Sequence, residues 1–489
     1  LEYWIGVDIG TTNTKVVAFI EGGEVKGHHS VGYEMIHPQP DYSELDAEVI
    51  YQAVHTCLQT VLHALDAPVR TITFCSAMHS VLAVDEAGQP LSNLIIWADN
   101  RATEEAESLI GTPLGKELFQ ACGTPLHPMV PLCKLMWLQK YEPELVHKTY
   151  KFVGIKELIW YRLTGEWVVD YSIASATAMF DLRELKWNEK ALETAGIPAE
   201  KLSATVSPYH SFPVSDPLKQ QLQITSDAVV TEQTKLIIGA SDGCVANLGT
   251  GAVVPGRVAV TIGTSGAVRV SARQPLLDEH MRTFCYLLDT ETFIIGGGTN
   301  SGGVIFQWLG ETLFPDKSEE ELSTLAAESP TGANDLLFLP YLLGERAPIW
   351  NVHAKGGFHG LTLQHTASHL VRAVLEGICL HTYSIVKILE DREQITEIYA
   401  SGGFAKSPFW VQLLADVCGK PVCLPETVEA GAWGSALMGM KAEQVIENYE
   451  ERMNKLKTRK TFNPNLNHTA QYQRIFERFM KLYEATKSI

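Results

Sequence analysis

Two short stretches of the chain carry the same polar corner. "DIGTTNTK" (Asp8–Lys15) and "TIGTSGA" (Thr261–Ala267) each run from an apolar strand through Gly-Thr-Thr or Gly-Thr-Ser into another strand. A tight Gly-Thr turn gathers backbone N–H groups and hydroxyls into a concavity the size of a phosphate. In the first copy, Gly10 permits close approach, Thr11, Thr12 and Asn13 add donors, and Lys15 adds a cation. Asp8 stands at the rim, where a carboxylate can hold a divalent ion through water. A plain hairpin with a polar turn reads equally well from one copy alone. The second copy, with Gly263 and Thr264, lies about 250 residues further on, and a pair can grip successive phosphates of one nucleotide from two sides. The G-x-x-x-x-G-K-[ST] loop is absent.

Two further glycine turns accompany them. "ASGGFAKSPFW" follows a strand and precedes a helix; Gly402 and Gly403 allow a flat ligand to approach, and Ser407 opens the helix ahead of Pro408. "GASDGCVAN" places Asp242 directly after an apolar strand, where a carboxylate can take the proton of a hydroxyl attacking a phosphoryl group. Each also reads as an ordinary loop.

The elements around these turns alternate between strand and helix, which predicts α/β architecture. Strands are expected at Tyr3–Asp8 and Lys15–Ile20, a helix over Asp46–Leu65, and short strands at "TITFC" and "VLAVD". "NLIIWADNRATEEAESLI" reads as a strand breaking into a helix. Thr112 to Asp227 is irregular and reads as an elaboration of the first domain. A long helix is expected over Ser368–Glu390, then the strand "EIYASGGF" and the helix "SPFWVQLLADV". The repeated corner suggests two similar halves, divided as 1–243 and 244–489. At 489 residues, 45% hydrophobic and 20% charged, the chain has ample material for two cores.

The net charge of −18 argues against nucleic acid and anionic lipid as partners, so phosphate must be met by local donors. Nine scattered cysteines without C-x-x-C fit reduced thiols rather than a disulfide framework or a metal clip. No apolar run is long enough to span a bilayer, and the opening residues read as a strand rather than a signal peptide, so a cytoplasmic protein is expected. The basic stretch "ERMNKLKTRKTF" reads as a solvated helix end.

Taken together, these residues resemble the FGGY family of carbohydrate kinases, within the actin/hexokinase/heat-shock ATPase superfamily. "DIGTTNTK" and "TIGTSGA" resemble its two phosphate loops and "SGGFAKSP" its adenosine loop. "MVPLCKLMWLQK" (Met129–Lys140) is similar to one family signature, with Pro131, Lys134 and Trp137 in place but Tyr141 departing at its end. "GGFHGLTLQHTASHLVRAVLE" (Gly356–Glu376) is similar to the other. The resemblance implies two ribonuclease-H-like domains around a central cleft that takes ATP, Mg2+ and a sugar or polyol, and it makes a homodimer the expected assembly. It implies Asp242 as general base and Asp8 as metal-placing residue. It implies phosphate contacts from Gly10, Thr11, Thr12, Asn13, Lys15, Gly263 and Thr264. Gly303, Gln307, Gly402, Gly403 and Ser407 match its nucleotide-side positions.

For the sugar, "SAMHS" brings Met78 and His79, "WADNR" brings Asp99 and Arg101, and "GERAPIWN" brings Glu345 and Arg346. Each also has a structural reading: a packed histidine, an ion pair holding its own loop, a loop-fixing arginine. The wording is most similar to the gluconokinase branch, since Ser80 and Ala98 stand where xylulokinases typically carry Gly and Asn. The expected reaction is phosphorylation of D-gluconate to 6-phosphogluconate, with His79 and Arg101 as donors to the carboxylate. Xylulose or another pentulose or polyol is the alternative substrate. A non-catalytic nucleotide sensor is the alternative of another class.

Overall fold

The computed structural model describes residues 1–224, 226, 228–426 and 429–487. Two large sheets organise it. The first runs in the order Ser211–Pro213, Lys235–Ile237, Val69–Ser76, Tyr3–Ile9, Asn13–Phe19, Val25–Gly32. The second runs Phe284–Leu287, Phe293–Thr299, Gly266–Ala272, Arg257–Ile262, Glu397–Ser401, Val422–Pro425, Thr458–Phe462. Both are built alike at their centres. Tyr3–Ile9 forms an antiparallel hairpin with Asn13–Phe19 and pairs in parallel with Val69–Ser76. Arg257–Ile262 forms one with Gly266–Ala272 and pairs in parallel with Glu397–Ser401. The corner repeated in the sequence is therefore a repeated hairpin.

The helices follow from their caps and apolar spacing. Ala47–Ala64 starts at Asp46, whose carboxylate accepts the Glu48 and Val49 N–H groups, and it buries Ile50, Val54, Leu58 and Val61 along one side. The expected long helix is Ala367–Glu390, buried almost throughout. Pro408–Cys418 starts at Ser407, whose Oγ accepts the Trp410 N–H at 3.3 Å.

Helix Ala430–Ala442, from the far end of the chain, lies on the first sheet. Its backbone comes so near that a Cβ on Gly6 would sit 2.0 Å from the Ala432 carbonyl oxygen. The same helix crosses Asp242–Gly249 at equally close range, through Gly249 and Gly434. A core of Trp4, Phe19, Cys244, Leu248, Trp433 and Leu437 fills this junction. It places the helix carrying Asp242 between the two sheets.

"KLIIGASDGCVANLG" is a strand, Lys235–Ile237, that runs through a glycine turn into helix Asp242–Gly249. One expectation changes. The basic stretch is a helix end only as far as Asn454; Thr458–Phe462 then forms the outer strand of the second sheet, where Arg459 and Lys460 discourage further strand pairing. The irregular region consists of short helices and two-stranded pieces around a separate core, although Ser211–Pro213 joins the first sheet. Its expected far boundary, Asp227, lies outside the described residues. All nine cysteines are buried and free. Among the described residues, no helix is long and apolar enough to cross a membrane.

Candidate active site

Both hairpin corners reach one cavity of about 270 Å³, whose wall includes Thr11 of the first, Ser265 and Gly266 of the second, and Asp242. The corners are closed in nearly the same way. The Gly10 N–H donates to the Asn13 carbonyl at 2.9 Å, and the Gly263 N–H donates to the Ser265 carbonyl at 2.9 Å. Those two amides are spent on the turns, so phosphate-facing donors must come from the residues that follow them. Thr12 and Thr264 are the exposed tips. Tyr33 Oη donates to the Gly10 carbonyl at 2.5 Å and fixes the first corner. The second rests on helix Gly303–Leu313, with the Gly303 N–H donating to the Gly263 carbonyl and the Val304 N–H to that of Thr264.

The third glycine turn sits against this second corner. Gly402 has φ 95°, and a Cβ there would lie 2.4 Å from the Ile262 carbonyl oxygen. Only glycine meets both conditions. Thr261 and Ser401, opposite one another in the parallel pair, share a hydroxyl hydrogen bond of 2.9 Å. Gly403 and Ser407 follow directly, with the Ser407 hydroxyl capping its helix. Gln307 is exposed on Gly303–Leu313 and donates to Glu311. These residues flank the second corner rather than line the cavity.

Asp242 is the first residue of its helix, recessed from the surface but open to the cavity. Its Oδ1 accepts the Gly243 N–H at 2.6 Å. Burial, reinforced by the negative charge of Asp8, pushes its carboxyl up to about 7, with Arg269 pulling the other way. The segment before it is held from beneath. Lys156 Nζ donates to the Ala240 carbonyl and pairs with Asp170 at 2.8 Å, and the Ser172 hydroxyl meets both the Ser241 N–H and its Oγ at 3.0 Å.

Asp8, next to last in its strand, lies beside Cys75, whose thiol donates to Oδ1 at 3.4 Å. A Cβ on Gly431 would fall 2.4 Å from Asp8 Oδ2, so glycine there leaves room for the carboxylate. Burial raises this carboxyl as well. Two carboxylates that burial holds above their ordinary range are hard oxygen donors. That suits Mg2+, which takes one or two carboxylates and keeps its remaining ligands as water and phosphate. Lys15 does not point freely at the corner: its ammonium pairs with Glu429 at 2.6 Å.

On the sugar side, Met78 and His79 line the cavity. His79 is buried, and burial with the nearby Lys134 ammonium pushes its imidazole down to about 3. Its Nδ1 lies 2.7 Å from the Ala176 carbonyl, which can only accept, so Nδ1 carries the proton and Nε2 is an acceptor, with the Tyr286 hydroxyl 3.4 Å away. Lys134, fully buried, donates to the His79 and Ile96 carbonyls at 2.6 and 2.8 Å. It thereby holds His79 at φ 69°.

Asp99 and Arg101 are not brought to this wall. Arg101 Nε and Nη2 donate to the two oxygens of Asp99 at 2.9 and 2.8 Å, Nη2 also donates to Glu44, and the guanidinium stacks over Tyr42. Asp99 further accepts the Ser43 N–H. The pair locks its own loop, so Arg101 has no hand left for a substrate carboxylate at this cavity. Arg346 does reach it, while also donating to Asn300 and the Thr299 carbonyl. The sequence reading missed Trp97, Arg269, Tyr286 and Trp350, which complete the wall. The only signal for Arg269 was a charged residue within the apolar "GAVRV".

Known proteins resemble this chain along most of its length. The model of the N-terminal domain of the FGGY family of carbohydrate kinases matches residues 3–249, and that of its C-terminal domain matches residues 258–443. A gluconokinase of Bacillus subtilis is 39% identical over 92% of this chain and 89% of its own. Crystal structures of a gluconate kinase and of a ligand-bound xylulose kinase, both from Lactobacillus acidophilus, superpose with TM-scores of 0.94 at 33% identity, covering 99% of this chain and 98% of theirs.

Proposed function

Since this chain belongs to the FGGY family of carbohydrate kinases, and is thus a phosphotransferase that takes ATP as donor, we propose that its acceptor is D-gluconate and its product 6-phosphogluconate. The observation that carries the reaction is the shared cavity: two phosphate-sized corners and one recessed carboxylate open onto the same space. The gluconate assignment draws support from the kinship to gluconokinases and from the cationic side chains at the wall.

In this reading Asp242 is the general base. It accepts the proton of the terminal hydroxyl as that oxygen forms its bond to the γ-phosphorus and the bond to the ADP oxygen breaks. A carboxyl raised to about 7 suits a proton transfer at neutral pH. Thr11, Thr12, Thr264 and Ser265 donate to the phosphate oxygens, and Gly402, Gly403 and Ser407 border the adenosine. Asp8, with Asp242 opposite, would hold Mg2+, which neutralises phosphate charge when bound. His79 Nε2 accepts from a sugar hydroxyl. Lys15 reaches the phosphates by leaving Glu429. We place the division between the domains at 243/244, in the helix that Asp242 begins, and take the enzyme to act in the cytoplasm as a homodimer.

The test is ADP release by the purified protein with gluconate, xylulose and no sugar. Fastest turnover on gluconate supports the assignment. Faster turnover on xylulose overturns the substrate and leaves the kinase. Turnover that ignores every sugar would favour a nucleotide sensor.

A further inference from the structure

Resting on the sugar-acid reading above, we infer that Arg269 binds the substrate carboxylate and so selects anionic over neutral sugars. Arg269 lies on Gly266–Ala272, whose alternation sends Val268 and Val270 into the core and leaves Ala267 and Arg269 on the cavity wall. Its guanidinium crosses toward Gly243, where a Cβ would come within 3.1 Å of Nη2. Among the described residues it makes no hydrogen bond or ion pair, Asp242 included.

Three other recessed arginines are hydrogen-bonded. Arg101 has Asp99 and Glu44, Arg346 has Asn300 and the Thr299 carbonyl, and Arg372 has Glu376 and Tyr472. A recessed guanidinium that no protein hydrogen bond satisfies, and whose burial the Asp242 charge offsets only in part, is costly to keep, and the cost is relieved when a ligand supplies a hydrogen-bonding anion. Arg346 opens onto the same cavity and reinforces its positive field. A carboxylate matches the planar fork of Arg269 in two parallel hydrogen bonds, which a ketose carbonyl cannot do. Asp242 remains available at the same cavity for the hydroxyl at the other end of the acid.

The experiment compares kcat/KM for D-gluconate and D-gluconamide, which has the same hydroxyls but no charge. Wild type should favour gluconate by about 30-fold or more, the range of a charged hydrogen-bonded pair. In Arg269→Gln the ratio should fall to within about threefold of unity, and in Arg269→Lys to an intermediate value. Gluconate should raise the melting temperature of wild type and not of Arg269→Gln, whereas ADP should raise both. An unchanged ratio, with both substrates falling together, overturns the inference and moves Arg269 to the phosphoryl group. If Arg269→Gln does not accumulate, an unchanged ratio in Arg269→Lys decides likewise. Wild type that turns over xylulose but neither gluconate nor gluconamide overturns the gluconate assignment, and this inference with it.

Discussion

Replacing Asp242 by Asn should make the protein inactive and more stable at once. Burial and Asp8 raise the Asp242 carboxyl from 3.8 to about 7, so ionising it in the folded state is unfavourable. The sign follows from proton linkage. Below pH 3.8 the group is protonated in both folded and unfolded chains and costs nothing. Between 3.8 and 7 the folded chain holds a proton that the unfolded chain has released, and stability falls as pH rises. Above 7 the full penalty applies: a rise of that size corresponds to at most about 4 kcal/mol, of which relaxation around the charge leaves about 2. Asp242→Asn removes the ionisation and keeps the shape. In buffer with EDTA and without nucleotide, it should melt several degrees above wild type at pH 8, with the gap closing toward pH 4. Phosphoryl transfer should drop by about 100-fold or more while ADP still binds. A variant no more stable than wild type at pH 8 would refute the electrostatic reasoning. Near-normal turnover would remove the carboxylate from its role.

The kcat/KM for the sugar should fall about tenfold per pH unit below 7 and level off above it, because the free enzyme must present Asp242 ionised; a rate flat between pH 5.5 and 8 would contradict this. Lys134→Met leaves the His79 and Ile96 carbonyls unpaired. It should cost about 2 kcal/mol in denaturant unfolding and raise KM for the sugar more than KM for ATP, since His79 loses its support. Gly402→Ala meets the Ile262 carbonyl at 2.4 Å in a left-handed conformation. It should raise KM for ATP about tenfold and change KM for the sugar less than about twofold, as read by steady-state kinetics.

What the sequence made legible was what local chemistry decides. The Gly-Thr-Thr and Gly-Thr-Ser turns announce their corners because each interrupts two apolar strands that pair as a hairpin, and Asp46 and Ser407 announce helix starts because a short polar side chain caps the free amides. What it concealed was set by partners distant in the chain. Arg101 reads equally as a ligand donor or as an ion pair with Asp99, and what decides is the loop, which bends it back onto Asp99 and across to Glu44. Arg269 looked like an ordinary strand residue, since its exposure to the cavity depends on the register against Phe293–Thr299 and on the helix begun by Asp242. Lys15 suggested a free cation, and its partner Glu429 lies more than 400 residues away. The stretch Thr458–Phe462 reads as a charged helix end unless the vacant edge of the second sheet is known.

The most direct measurement is a crystal structure with gluconate and an unreactive ATP analogue bound together. The account predicts phosphate oxygens against Thr11–Thr12 and Thr264–Ser265, with the terminal hydroxyl of gluconate within hydrogen-bond reach of Asp242. Phosphates seated away from both corners, or a sugar whose terminal hydroxyl faces another carboxylate, would contradict it.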